Sequence, residues 1–228
     1  MADIRVTSLL DNFDRADEDP LSGGGSWGQL ISGGAQLRNF ANQAHGHNGF
    51  NNWSYWTPEA FTASGGDEIE VWSRPGGAPD FNDGWRMGMF KDPGGAFDGY
   101  NIGWFSSIGD NTLVLSRSDN GVDTRLLTVR PPPFGGFPDS GGDTPILLFR
   151  TNGNDVEFWH SADDGANWTL QAAATDTTYR TGLYLALGLQ KFAGATHHWD
   201  DFGGGTETIW HPEFMRRPWE YQGQHLLP

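Results

Sequence analysis

The chain has 228 residues, no cysteine, 33 glycines and 11 tryptophans, and its 29 acidic against 14 basic residues give a formal charge of -15. These figures exclude a disulfide scaffold, a thiolate metal site and a cysteine nucleophile. They also argue against nucleic acid and against an anionic membrane surface as partners, because the charge repels phosphate and the basic residues are scattered along the sequence.

The length suits one compact β domain plus an extension, expected as a sandwich over 1–205 and a C-terminal arm over 206–228. No apolar run approaches the ~18 residues of a membrane-spanning helix, so membrane insertion is not expected. The N-terminus reaches the acidic stretch Asp11-Asn12-Phe13-Asp14 before an apolar leader can form, so no secretory signal is expected. Leu, Ile, Val and Phe are scarce, and the core must come from large aromatic side chains, each burying ~150–250 Å². Glycine at about twice its usual ~7% share separates these aromatic runs, as short strands and tight turns require.

Period-2 alternation then marks the strands in order. Ile69 and Val71 alternate with Glu68, Glu70 and Trp72; Trp85, Met87 and Met89 alternate with Arg86 and Gly88; Tyr100, Ile102 and Trp104 alternate with Asn101 and Gly103. Further strands are expected over 112–117, 125–130, 145–150, 155–160, 168–173 and 183–189. Asp119-Asn120-Gly121, Asn152-Gly153-Asn154 and Asp163-Asp164-Gly165 supply turns between them. The Pro- and Gly-rich segment 131–144 reads as a long loop. After Gly203-Gly204-Gly205 the chain loses its alternation but stays aromatic, with Trp210, Phe214, Trp219 and Tyr221 as candidate assembly residues. A turn of helix is conceivable in 211–222, and the arm is equally able to fold back or to dock on a neighbouring subunit. The pattern as a whole predicts an all-β sandwich.

Two end segments add a family likeness. Asp11-Asn12-Phe13-Asp14-Arg15-Ala16-Asp17 with Trp27, and the closing Trp199-Asp200-Asp201-Phe202-Gly203-Gly204, resemble the first and last strands of concanavalin A-like lectin and glucanase (laminin-G-like) jelly rolls. The likeness implies that the terminal strands pair side by side, with Phe13 and Phe202 in one core. It also implies that Asp11, Asp14, Asp200 and Asp201 approach one another, where hard oxygen ligands for a structural calcium would be found. No contiguous calcium loop is present, so no cofactor is expected and these residues read better as solvated acidic turns.

The same likeness frames the candidate chemistry. The glucanase branch carries Glu-x-Asp-x-x-Glu on one strand; here Glu68 and Glu70 share a face, but Ser73 and Arg74 follow where the third carboxylate is needed. The pair therefore reads as the polar outer face of a half-buried strand, and no catalysis is expected. Ser161-Ala162-Asp163-Asp164-Gly165-Ala166-Asn167-Trp168 resembles the Asp-box of sialidases, which implies a structural hairpin. His45, His47, His197 and His198 show no converging third ligand and read as surface or interface histidines. A sugar needs exposed aromatic platforms beside planar polar groups, and Asn51, Asn52, Trp53, Tyr55, Trp56, Trp85 and Tyr100 are the candidate glycan-binding residues.

High Gly and Trp content, an aromatic tail and the lack of a leader make the chain look like minor tail or other virion proteins of bacteriophages. That resemblance implies a non-enzymatic structural protein of the virion, made in the host cytoplasm. Its partners would be other virion proteins, copies of itself and host cell-surface polysaccharide. A free carbohydrate-binding lectin, a capsid decoration protein and a divergent glycoside hydrolase are the alternatives left open.

Overall fold

The computed structural model describes residues 4, 6–30, 35–47, 49–63, 68–77, 84–93, 95, 97–105, 112–130, 145–191 and 196–207. Its strands are, in chain order, β1 (Leu9–Asp11), β2 (Trp27–Gln29), β3 (Leu37–Phe40), β4 (Gln43–Gly46), β5 (Gly49–Trp56), β6 (Glu68–Gly76), β7 (Gly84–Lys91) and β8 (Asp98–Phe105). They continue as β9 (Thr112–Asp119), β10 (Val122–Val129), β11 (Ile146–Asn152), β12 (Asp155–Ser161), β13 (Thr169–Thr175), β14 (Tyr184–Lys191) and β15 (His198–Glu207). No helix among the described residues is long and apolar enough to cross a membrane.

Two antiparallel sheets form the sandwich. One runs β13, β12, β11, β6, β15, β4, β3, with β1 added alongside β15; the other runs β10, β9, β8, β7, β14, β5, β2. The alternating residues read from sequence project as expected: Trp85, Met87, Met89, Tyr100, Ile102, Trp104, Leu185, Leu187 and Leu189 from one sheet meet Ile69, Val71, Leu147, Phe149, Phe158, Trp199 and Phe202 from the other. Buried indoles need acceptors, and they find them across the sandwich. Trp85 Nε1 donates to the His198 carbonyl at 2.9 Å, and Trp199 Nε1 to the Gly188 carbonyl at 2.9 Å.

The ends of the chain meet as the family likeness implies. Leu9 pairs with Gly203 and Asp11 with Phe202, and Phe13 and Phe202 both lie in the main core against Trp27, with ring centroids 5.8 and 4.7 Å away. The strand β15 continues to Glu207, opposite Glu68, so residues 206 and 207 lie in the sheet, two positions beyond the expected sandwich boundary. The hairpin joining β12 to β13 follows its motif: Asp163 Oδ1 accepts from Asn167 N at 2.8 Å and from Ser161 Oγ at 2.9 Å, while Gly165 takes φ 82°. Trp168 packs beside Ile146 and Trp72 on the outer face of the first sheet.

Two expectations need correction. Glu68 and Glu70 do not form a solvated face, because β6 is covered on both sides: they are 4% and 0% exposed. His197 is not at the surface either; it is fully buried, edge-on to Trp85 at 5.4 Å. The expected loop 131–144, the turn of helix in 211–222 and the arm residues Trp210, Phe214, Trp219 and Tyr221 lie outside the described residues.

Candidate functional site

The outward face of the second sheet carries a hollow of about 460 Å³ lined by Arg86, Asn101, Phe105, Ser116, Asp123, Arg125, Arg130 and Gln190, among others. Strand register explains how residues so far apart in sequence converge. Trp53, Gly188, Arg86, Gly103 and Val114 form one row across β5, β14, β7, β8 and β9. Ala186, Gly88, Asn101, Ser116 and Arg125 form the next.

Glycine shapes the floor. Arg86 is flanked in register by Gly188 and Gly103, and neighbouring rings lean into the space that their missing side chains leave. A Cβ at Gly188 would stand 2.6 Å from the Trp53 ring, and one at Gly103 would run into Phe105. Consequently the Arg86 guanidinium lies 4.7 Å from the centroid of Phe105 and 6.0 Å from that of Trp53. Gly188→Val is expected to displace Trp53 and to cost about 1–3 kcal/mol by overpacking. A shifted tryptophan emission together with a lowered unfolding midpoint checks this, and unchanged emission would contradict it.

Polar groups on this floor are held in place. Arg86 Nη2 donates to Gln190 Oε1 at 3.0 Å; Asn101 Nδ2 donates to Ser118 Oγ at 3.0 Å and to Asp123 Oδ1 at 3.1 Å; Ser118 Oγ also donates to Asp123. Burial lowers the pKa of Arg86 to about 10, against the opposing pull of Asp123, so it stays cationic at neutral pH. A smaller recess of about 160 Å³, lined by Trp53, Phe90, Phe97 and Gly121, continues the hollow across Arg86, Asn101 and Asp123.

The glycan candidates divide sharply. Trp53 lines the recess and is 4% exposed. Tyr55 packs half-buried on the same outward face. Trp85 and Tyr100 point the other way: both are buried in the main core, where Tyr100 donates to Asp176 at 2.6 Å. Trp56 packs against that core too, and buried Asn52 serves the backbone, accepting from His47 N at 2.9 Å and donating to Leu189 O at 3.2 Å. The platform reading therefore fails for these four, since alternation sends them inward. Asn51 lies on β5, and its side chain is outside the described residues. Asn101, which follows Tyr100 in one of the aromatic and polar stretches, does line the hollow, whereas Arg86, Asp123, Arg125 and Gln190 were missed as a site. The one signal available was their outward parity beside core-facing neighbours.

The acidic candidates are engaged elsewhere. Asp11 accepts from Arg15 and from Trp27 Nε1, both at 2.6 Å, Asp201 pairs with Arg74 at 2.9 Å, Asp200 Oδ1 accepts from Asp201 N at 2.9 Å, and Asp14 is exposed. Asp11 and Asp201 are thus ion-paired anchors and not solvated turns.

Glu68, Glu70 and Glu207 bring carboxylate oxygens within 4.8 Å of one another on the first sheet, close enough to hold a hard cation. Thr7 N donates to Glu70 Oε1 at 2.5 Å, so the N-terminal segment covers this cluster. Burial pushes both Glu68 and Glu70 up to about 7; Arg150 opposes this at Glu68 and the Thr7 N–H opposes it at Glu70, while neighbouring carboxylates add to it. A folded pKa above the unfolded value means that the stability from the neutral form is complete below about 4.5 and is lost as pH rises through about 7. Glu70→Gln is therefore expected to match wild type near pH 4.5 and to exceed it by about 1–3 kcal/mol at pH 8. Denaturant titrations across this range in chelator test it, and parallel curves for the two proteins would refute it.

With this geometry defined, the fold can be stated: the chain is a concanavalin A-like jelly-roll β-sandwich. No protein-family model matches it, and no curated protein matches it. Solved structures do. It is similar to the exoplasmic/lumenal domain of VIP36 in its Ca2+/Man3GlcNAc-bound form, with TM-score 0.63, 12% identity, and coverage of 94% of this chain and 92% of that one. It is also similar to the carbohydrate-binding module CBM66 from Bacillus subtilis, with TM-score 0.52, 15% identity and coverage of 80% and 96%. The CBM2 module of the evolved Dit of Lactobacillus casei BL23 phage J-1 aligns with TM-score 0.59, 10% identity and coverage of 91% and 100%.

Proposed function

We propose that this chain is a non-catalytic carbohydrate-binding module that takes its glycan in the hollow on the seven-stranded sheet. The observation that carries the reading is the hollow itself, where fixed amide, hydroxyl, carboxylate and guanidinium groups converge beside aromatic rings. Its volume falls in the ~300–1,000 Å³ range of small-ligand sites. Sugars present hydroxyl rims to planar polar groups and C–H faces to rings, which is the mixture found here. Hydrolysis needs two carboxyl groups across the bond, and the described lining offers one, Asp123. Glu68 and Glu70 belong to the opposite sheet under the N-terminal segment. The names of the similar VIP36 and CBM66 structures, a Ca2+/Man3GlcNAc-bound domain and a carbohydrate-binding module, support the same reading.

The test is retention of the full chain on a microbial glycan array, with and without calcium. Val114→Trp, which fills the hollow from its wall, is expected to abolish retention while leaving the unfolding transition intact. Undiminished binding by that variant would place the site elsewhere.

A second reading concerns context, and the similarity to a phage Dit module favours it. In this reading the domain serves on a bacteriophage virion, at the tail tip or fibre, with the arm from 208 onward docking on other virion proteins or on copies of itself. Deletion of 208–228 is expected to leave glycan retention intact and to abolish self-association in sedimentation. Unchanged assembly after the deletion would remove the arm from that role.

A further inference from the structure

The hollow is cationic on a strongly anionic protein. Its lining holds three guanidiniums, of Arg86, Arg125 and Arg130, against the single carboxylate of Asp123, whereas the whole chain carries -15. Asp123 is already engaged by Ser118 and Asn101, so it does not neutralise the arginines by direct pairing in this structure. Arg125 and Arg130 are exposed at the rim. Arg86 forms the floor, and its Nε is buried with no hydrogen-bond partner among the described residues.

A buried guanidinium donor without an acceptor is costly, and a carboxylate or phosphate is the partner that suits a guanidinium best, because two of its oxygens can meet two parallel N–H groups. Protein carboxylates fill that role elsewhere in this chain: Arg74, Arg117 and Arg150 each bind two. Arg86 instead makes its described bond to the neutral amide of Gln190.

We infer that the ligand of this hollow is an anionic saccharide, one whose carboxylate or phosphate seats on Arg86 while Arg125 and Arg130 flank it from the rim. Asn101, Ser116 and Asp123 meet the hydroxyls of the same sugar unit, and the Phe105 ring forms the wall beside it. The charge elsewhere on the chain repels a polyanion, so engagement is confined to this hollow and weakens with added salt. The inference rests on the carbohydrate-binding reading and names the chemical class of its ligand.

The test uses the full chain in calorimetric titrations with oligogalacturonate, with a wall teichoic acid carrying phosphodiesters, with a neutral galactan of matched length, and with polyglutamate. At least tenfold tighter binding of one anionic glycan than of galactan is expected, and the tighter of the two identifies carboxylate or phosphate as the seated group. Arg86→Gln is expected to remove that preference. Because Arg86 is part of the floor, the exposed pair Arg125→Ala and Arg130→Ala provides a second variant, expected to weaken the anionic glycan about tenfold more than it weakens galactan, with an unaltered unfolding transition showing that the fold is intact. Galactan binding that equals or exceeds the anionic glycans, and is blocked by Val114→Trp, would overturn the inference while leaving the carbohydrate-binding reading standing. Equal binding of polyglutamate would overturn it as charge without saccharide recognition. Absence of binding to every glycan would overturn both.

Discussion

Arg150→Met is expected to lose about 3–5 kcal/mol of stability at pH 8, a fall in Tm on the order of 10 °C, and to lose much less at pH 5. Arg150 sits on the outer face of β11 between two buried carboxylates, with Nη1 2.7 Å from Glu68 Oε2 and Nε 2.9 Å from Glu157 Oε2, and its side chain is 8% exposed. Removing it strands both acids without their counter-charge. Glu157 keeps donors from Asn152 at 3.1 Å and Trp159 at 2.8 Å, whereas the described hydrogen bond to the Glu68 carboxylate is the one from Arg150.

The pH sign follows from Glu68. Burial already holds its pKa near 7, against the pull of Arg150, so without the arginine it rises further and the carboxyl is neutral at pH 5. The double variant Arg150→Met with Glu68→Gln is accordingly expected to recover part of the loss at pH 8. Equal losses at both pH values would instead assign the effect to packing of the arginine over Trp159, 5.2 Å from its ring centroid. The same arrangement accounts for the two glutamates that looked most like a catalytic pair: they are internal counter-charges and covered acids of the first sheet.

Legibility in the sequence followed the range of the forces involved. Strands such as β7, β8 and β14 were readable because alternation is local and one face of each is core. The hairpin at Ser161–Trp168 was readable because its hydrogen bonds join residues at most four apart. The hollow was not readable, since Arg86, Asn101, Ser116, Arg125 and Gln190 meet through the register of β14, β7, β8, β9 and β10, and a shift of one residue would turn each to the other face. Parity separated Trp53 from Trp85 in the same way. Both stand in aromatic, polar-rich stretches, yet Trp53 faces out beside Gly188 and Trp85 faces the core. Basic residues scattered in sequence proved concentrated in space at Arg86, Arg125 and Arg130, which composition has no means to express.

Trp27→Ala is expected to cost about 3–5 kcal/mol and to loosen both ends of the sandwich together. Trp27 begins β2 in the second sheet, but its ring packs against Phe13 after β1, Phe202 in β15 and Trp56 in β5, with centroids 5.8, 4.7 and 5.6 Å away. One side chain thus joins the first and last strands of one sheet to the edge of the other. Its indole N–H also donates to Asp11 Oδ2 at 2.6 Å, while the other Asp11 oxygen accepts from Arg15 and from Phe13 N.

Trp27→Phe separates these contributions, because it keeps a ring and removes the donor. Its expected cost is smaller, about 1–3 kcal/mol, the penalty for leaving the Asp11 oxygen without that bond. Hydrogen exchange should then show faster opening at Leu9–Asp11 and along β15 in both variants, with β8 and β9 protected as in wild type until global unfolding. Uniform acceleration across all strands would mean that the terminal pairing is not a separable unit. Confinement to the ends would make Trp27 the residue through which an acidic N-terminal turn, of the kind that suggested calcium, is instead fastened by an aromatic cluster and an arginine.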